Sequence, residues 1–249
     1  MPVTREAEQL KQRLVDACRI LYVEGHSDRN LGHASARTAD QQTMYMKPSG
    51  LGLEEVRPED IITVDFDGVK LAGKLPRHGE FPIHSEVYRA RAEIQCVIHT
   101  HPLYSVWLST LDSPLVPLNQ DGVLFWRAVP IFKETCDLIL TSEQGRRVAS
   151  TMESLPVVLL RNHGVVVGGE TIEESTMLAL HLEKAAQLYW MALSAGRPYS
   201  AIGADIAAKM AADFQRNKER SADLFQYHRR KAHRSLGMKV EHEDGYGSR

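Results

Sequence analysis

The chain has 249 residues, of which 43% are apolar and 25% charged, with a formal net charge of -2. That balance gives no electrostatic case for nucleic acid or an anionic membrane surface, and no apolar run reaches the length of a membrane span. The first residues lack the apolar segment of a secretory signal, and Cys18, Cys96 and Cys136 are widely spaced in apolar contexts; these features predict reduced core cysteines and a cytoplasmic protein.

In chain order, residues 5–24 carry Leu10, Leu14, Ala17 and Leu21 at helical spacing, and Gly25 stops that helix. A polar stretch, 26–32, leads to short strands at 34–37 and 43–46. Lys47-Pro48-Ser49-Gly50 punctuates a loop. Residues 61–65 and 69–72 read as strands joined by an Asp67-Gly68 hairpin turn. Residues 81–92 are helical, with Ile83, Val87 and Ala90 on one stripe, and lead into a strand at 95–98. A helix at 103–110, a short strand around Val129 and Ile131, and a helix at 142–152 follow. Strands at 157–160 and 165–167 flank Asn162-His163-Gly164. Thr171-Ile172-Glu173-Glu174 is a capping box that opens a helix to about Ser194. Gly196-Arg197-Pro198 ends it, and a last helix is expected over 204–235 before a polar tail from about 236. No repeat and no rich linker divides the chain, so 1–249 is expected to be a single domain of α/β class, a mixed sheet covered by helices. Neither a glycine-rich phosphate fingerprint nor a Gly-X-Ser-X-Gly nucleophile motif is present.

The chemistry concentrates at His99-Thr100-His101. In a strand, residues two apart share a face, so both imidazoles can reach one divalent metal. Pro102 cannot extend a sheet ladder and sets the pair at a strand end. A His-X-His pair alone is a weak sign. His163, in the tight turn between two apolar runs, strengthens it, because three histidines with an open position suit a catalytic metal. Glu80 opens the helix that leads into the metal strand. A carboxylate there can hold or deliver a proton, although the helix dipole also favours a glutamate at that place.

Gly32-His33-Ala34-Ser35-Ala36-Arg37, Lys47-Pro48-Ser49-Gly50, Glu80 with its helix, His99-Thr100-His101 and Asn162-His163-Gly164, in this order and spacing, resemble the class II aldolase/adducin family from about Leu10 to Gly196. The resemblance implies a three-layer α/β/α sandwich with a mixed, largely antiparallel sheet. It also implies His99, His101 and His163 as metal ligands, Glu80 as the catalytic glutamate, and a homotetramer with sites between subunits. The chain departs from the sugar-phosphate aldolases at two places. Asn30-Leu31-Gly32-His33 stands where they carry a Thr-Ser-Gly-Asn-like loop, and His78-Gly79 where they carry Ser-Ser. Hydroxyls that would hold a phosphate are lost, while Ser49 and Gly50 remain as possible anion binders. His33, Lys47, Arg77 and His78 add basic character suited to substrate carboxylates. This variant resembles a decarboxylase branch whose substrates are dihydroxyphthalate or the hydroxy-methylpyridine dicarboxylate of vitamin B6 breakdown.

The expectation is therefore a carbon–carbon lyase that decarboxylates a hydroxylated aromatic or pyridine dicarboxylate and uses Mn2+ or Zn2+, with Co2+ or Fe2+ also acceptable to imidazole. Glu80 is the first choice for the proton and His33 or His78 the second. Lys47, Ser49, Gly50 and Arg77 are expected to bind substrate. The alternatives are an aldolase cleaving a sugar phosphate or other aldol, and a non-enzymatic adducin-like interaction protein. His181 is expected to be structural, and Tyr227, His228 and His233 are candidates to reach a neighbouring subunit's site.

Overall fold

The computed structural model describes residues 4–216 and 218–240. Its elements are α1 (Arg5–Leu21), β1 (His33–Arg37), β2 (Thr43–Met46), β3 (Ile62–Asp65), β4 (Lys70–Ala72), α2 (Phe81–Ala90), β5 (Cys96–Thr100), α3 (Leu103–Ser109), β6 (Ile131–Phe132), α4 (Ser142–Met152), β7 (Val157–Leu160), β8 (Gly164–Gly169), α5 (Ile172–Ser194), α6 (Ala204–Arg216) and α7 (Lys218–Ser235). The strands form one sheet in the order β4-β3-β2-β1-β5-β8-β7-β6. All pairs are antiparallel except β6 with β7.

Both faces of the central strands are apolar, because helices cover both. Cys96, Ile98, Val157, Leu159, Val165 and Val167 pack with Leu14 of α1, Leu182 of α5 and Phe225 of α7. The alternate residues Val97, Val158, Leu160 and Val166 pack with Ile83 of α2 and Val148 of α4. Strand alternation thus divides one sheet between two helical layers, giving the α/β/α sandwich.

The structure adjusts several expectations. The first helix ends at Leu21 and continues as a π-type turn, Tyr22–His26, in which Gly25 takes φ 88°. β1 begins at His33, a residue earlier than periodicity suggests, and this puts His33 opposite His99. Thr171 caps α5 as expected, but the capping box does not close, because Glu174 Oε2 accepts the Glu170 N–H instead. Cys18 and Cys96 are buried, whereas Cys136 is exposed and is no core residue. The last helical stretch is described on both sides of residue 217, and residues 241–249 of the polar tail lie outside the described residues. Among the described residues no helix is long and apolar enough to cross a membrane.

Candidate metal centre and active site

β5 delivers His99 to the α2/α4 side of the sheet, the side of Val97, and His101 follows directly after the strand. His163 arrives from the β7–β8 turn. That turn needs Asn162 at φ 56°, a left-handed conformation that asparagine tolerates. It also needs Gly164, where a Cβ would lie 2.5 Å from Thr100 O and 2.6 Å from His101 Cδ2. A bare glycine lets the turn rest against the end of β5. The three ring centroids then lie 4.8, 5.0 and 5.1 Å apart, with ligand atoms within 4.8 Å of one another.

The outer nitrogens decide what the inner ones offer. His99 Nδ1 donates to Val165 O at 3.0 Å, and His101 Nδ1 donates to Asp28 Oδ2 at 3.2 Å. Burial holds His99 well below its ordinary pKa, lowers His101, and lowers His163 to about 4. Neutral rings with Nδ1–H carry a lone pair on Nε2. His99 Nε2 and His101 Nε2 lie 3.1 Å apart. Two lone pairs at that distance repel unless a cation draws them together. This donor set fits a divalent metal, and the carbonyl and carboxylate behind it are the outer partners that metal-ligating histidines use.

Glu80 is the N-cap residue of α2, yet its side chain makes no cap hydrogen bond. It turns toward the imidazoles instead. Oε1 accepts from Ile139 N at 2.9 Å and lies 3.8 Å from His163 Nε2. Oε2 lies 3.7 Å from both His33 Nε2 and His99 Nε2. Burial raises its pKa to about 6; the Ile139 amide opposes that rise and Asp137 adds to it.

His33 stands beside this carboxyl, its ring centroid 4.4 Å from that of His78 and 5.0 Å from that of His99. His78 Nε2 meets Pro48 O at 3.1 Å, and burial lowers its pKa to about 4. The other basic candidates are held differently. Lys47 is fully buried, its ammonium donating to Leu51 O at 2.5 Å and Pro48 O at 3.3 Å. It braces the loop of Ser49 and Gly50 from within. Arg77 donates to Gly68 O and His78 O at 2.6 and 3.1 Å and lies over the Phe81 ring at 4.1 Å. It clasps the β3–β4 hairpin to the start of α2. Ser49 N donates to Pro76 O at 2.9 Å, and Gly50 supplies a φ of 92°.

His181 pairs with Asp121 at 2.6 Å. His228 and His233 meet Glu24 at 2.8 Å and Asp16 at 3.1 Å, on and just beyond their own chain's α1. Tyr227 is exposed and stands edge-on to His228. His101 and His163 open into a cleft of about 560 Å³ walled by Leu31, Leu103, Val106, Cys136 and Leu138. Sequence reasoning missed Asp28, His84, Ser35 and Tyr88. Only the last three left a signal: Ser35 lies two residues from His33 on one strand, and His84 and Tyr88 lie four apart on one helix.

Residues 12–190 match the class II aldolase and adducin N-terminal domain. The chain is 32% identical over 158 residues to the decarboxylase NovR of Streptomyces niveus, covering 63% of this chain and 58% of that one, so it spans little more than half of that relative. It is 29% identical over 195 residues to the 3,4-dihydroxyphthalate decarboxylase of Rhodococcus jostii, covering 74% and 80% of the two chains. The structure of L-fuculose 1-phosphate aldolase from Glaciozyma antarctica is similar over 94% of this chain and 93% of that one, with a TM-score of 0.81 and 26% identity.

Proposed function

The chain belongs to the class II aldolase and adducin family, and on that premise we propose that it is a divalent-metal-dependent carbon–carbon lyase that decarboxylates a hydroxylated aromatic or pyridine dicarboxylate. Dihydroxyphthalate and a hydroxy-methylpyridine dicarboxylate are representative substrates. The observation that carries this reading is the facing pair of Nε2 lone pairs on His99 and His101, 3.1 Å apart, with His163 and the Glu80 carboxyl beside them.

His99, His101 and His163 would hold the metal, Mn2+ or Zn2+ by their chemistry. When bound it supplies Lewis-acid stabilisation of the negative charge left by carbon–carbon cleavage. The remaining work falls to side chains. The ring–carboxylate bond breaks, carbon dioxide leaves, and the electron pair stays on the ring carbon. Glu80, whose pKa burial raises to about 6 in the metal-free protein, gives its proton to that carbon and recovers one from solvent. His33 presents an imidazole edge to the second carboxylate, and His78, its N–H held by Pro48 O, packs against the His33 ring. Leu31, Leu103 and Leu138 are 43%, 71% and 50% exposed around the cleft; they suit an aromatic ring and a mouth covered by a second subunit of a homotetramer.

The second reading is an aldolase acting on a sugar phosphate. Similarity to the fuculose 1-phosphate aldolase over nearly the whole chain favours it. Product analysis separates the two. Metal-loaded protein is incubated with hydroxyaryl dicarboxylates and, in parallel, with sugar phosphates. Metal-dependent carbon dioxide that disappears in His99→Ala supports the decarboxylase. Aldehyde from the sugar phosphates overturns it in favour of the aldolase.

A further inference from the structure

Among the described residues two groups of side chains could hold a metal, and they share His99: His99 with His101 and His163, and His99 with His33 and Glu80. The protonation of His33 decides between them, and a buried hydrogen-bond chain behind His33 sets that protonation. The Tyr88 hydroxyl lies 2.8 Å from Ser35 Oγ. Ser35 Oγ lies 2.7 Å from His84 Nδ1, and His84 Nε2 lies 2.7 Å from His33 Nδ1. Tyr88 is 1% exposed, and Ser35 and His84 are 0% exposed, so solvent does not serve these atoms.

Only one polarity satisfies the chain. Burial keeps the Tyr88 phenol protonated and His84 neutral. Among the described residues the hydroxyl's side-chain partner is Ser35, so Tyr88 donates to Ser35 Oγ. Ser35 then turns its own hydrogen to His84 Nδ1. His84 has its hydrogen on Nε2 and donates it to His33 Nδ1, which leaves His33 with its hydrogen on Nε2. The reverse polarity would aim the Ser35 and Tyr88 hydrogens at each other or leave the Tyr88 hydrogen buried without an acceptor, at a cost of about 1–3 kcal/mol. At the far end, His33 Nε2 is buried with no hydrogen-bond partner and stands 3.7 Å from Glu80 Oε2.

We propose that Tyr88, Ser35 and His84 are positioning residues that hold His33 as an Nε2–H donor, so that His33 receives an anionic oxygen of the substrate and stays outside the metal's ligand set. A nitrogen that carries hydrogen has no lone pair in the ring plane for a metal. The metal therefore belongs to His99, His101 and His163. His33 and Glu80, 3.7 Å apart, then face the substrate together, His33 as the hydrogen-bond donor. The inference rests on the metal-dependent reading for the metal, but the tautomer stands independently of it.

Three measurements test it. Elemental analysis counts bound metal in the wild type, His33→Leu, His33→Gln and His163→Ala, with circular dichroism to verify folding. Metal is expected to persist in both folded His33 variants and to weaken at least about tenfold in His163→Ala. Phthalate, used as a dicarboxylate probe, is expected to bind about tenfold more weakly to His33→Leu, with most affinity recovered in His33→Gln, whose amide also donates. Loss of metal from folded His33→Gln overturns the proposal. A wild type that binds no metal sinks the lyase reading instead, and the nitrogen-15 spectra then decide this one. Nitrogen-15 spectra of histidine-labelled, metal-free protein, with the His33 signals assigned by their loss in His33→Gln, are expected to show hydrogen on Nε2. Ser35→Ala is expected to give mixed tautomers and Ser35→Thr to restore one. Hydrogen on Nδ1 of wild-type His33, or an unmixed Nε2–H form in Ser35→Ala, overturns it.

Discussion

Asp28, Gly164 and Glu80 act on one cluster of histidines by different physics. Asp28 fixes the hydrogen of His101 on Nδ1, so Asp28→Asn is expected to weaken metal affinity by about 10–100-fold with little change in fold; titration with a competing chelator reads this. Gly164→Ala places a methyl 2.6 Å from the His101 ring and 2.5 Å from a backbone oxygen. It is expected to displace the turn and lose metal binding together with about 1–3 kcal/mol of stability, measured by urea denaturation. Glu80→Gln keeps the shape and removes the transferable proton. It is expected to lower kcat by about 10²–10⁴-fold with metal content unchanged, and full turnover would refute the role given to Glu80. At this scale the sequence revealed His99 and His101, two positions apart at the end of one strand. It did not reveal Asp28, because that carboxylate reaches His101 from 73 positions away through a turn with no periodicity. Lys47 and Arg77 read as substrate groups from their charge alone; in the structure Lys47 Nζ and Arg77 Nε and Nη1 also donate to backbone carbonyls. A sequence shows a charge but not what already satisfies it.

Among elements, α3 shows how a remote helix steadies the centre. This helix of seven residues starts two positions after His101, too short to be stable alone. Glu183 of α5 receives its first amides, Tyr104 N at 2.8 Å and Ser105 N at 2.7 Å, and the Ser105 hydroxyl at 2.7 Å. The carboxylate thus serves as a cap supplied by another element. Glu183→Gln is expected to cost about 1–3 kcal/mol and to loosen the segment after His101, visible as faster amide exchange over α3. The helices themselves were legible because apolar spacing and punctuation mark them: α4 occupies the expected residues, and α2 and α5 start where expected. Less legible was what each helix does besides cover the sheet. α2 carries Ile83 and Val87 into the core and His84 and Tyr88 into a polar chain, and periodicity alone cannot distinguish a polar residue that is buried from one that is solvated.

For the whole molecule, the buried histidines make stability depend on pH. Burial lowers His26 to about 4 and His84 to about 3, whereas the unfolded chain holds them near the ordinary value of about 6.5. Near pH 5 each is neutral when folded and takes up a proton on unfolding. Their contribution is present above about pH 6.5 and is lost as pH falls, at about 1.4 kcal/mol per pH unit for each proton. Urea midpoints of metal-free protein are expected to fall steeply from pH 6.5 to 4 and to change little from 7 to 8; a flat profile would contradict the buried, neutral assignment. The sequence by itself determined the α/β class, most strand and helix positions, the family resemblance and the three metal-ligand candidates, because these follow from alternation, helical period and short motifs that a linear chain displays. Tertiary structure alone decided that β1 lies beside β5, so that His33 faces His99, and that α2 brings His84 to within 2.7 Å of His33 across 51 positions. Strand order and helix docking come from burying both sheet faces at once. Neighbours made in that way are set by packing across the whole chain rather than by any local spacing.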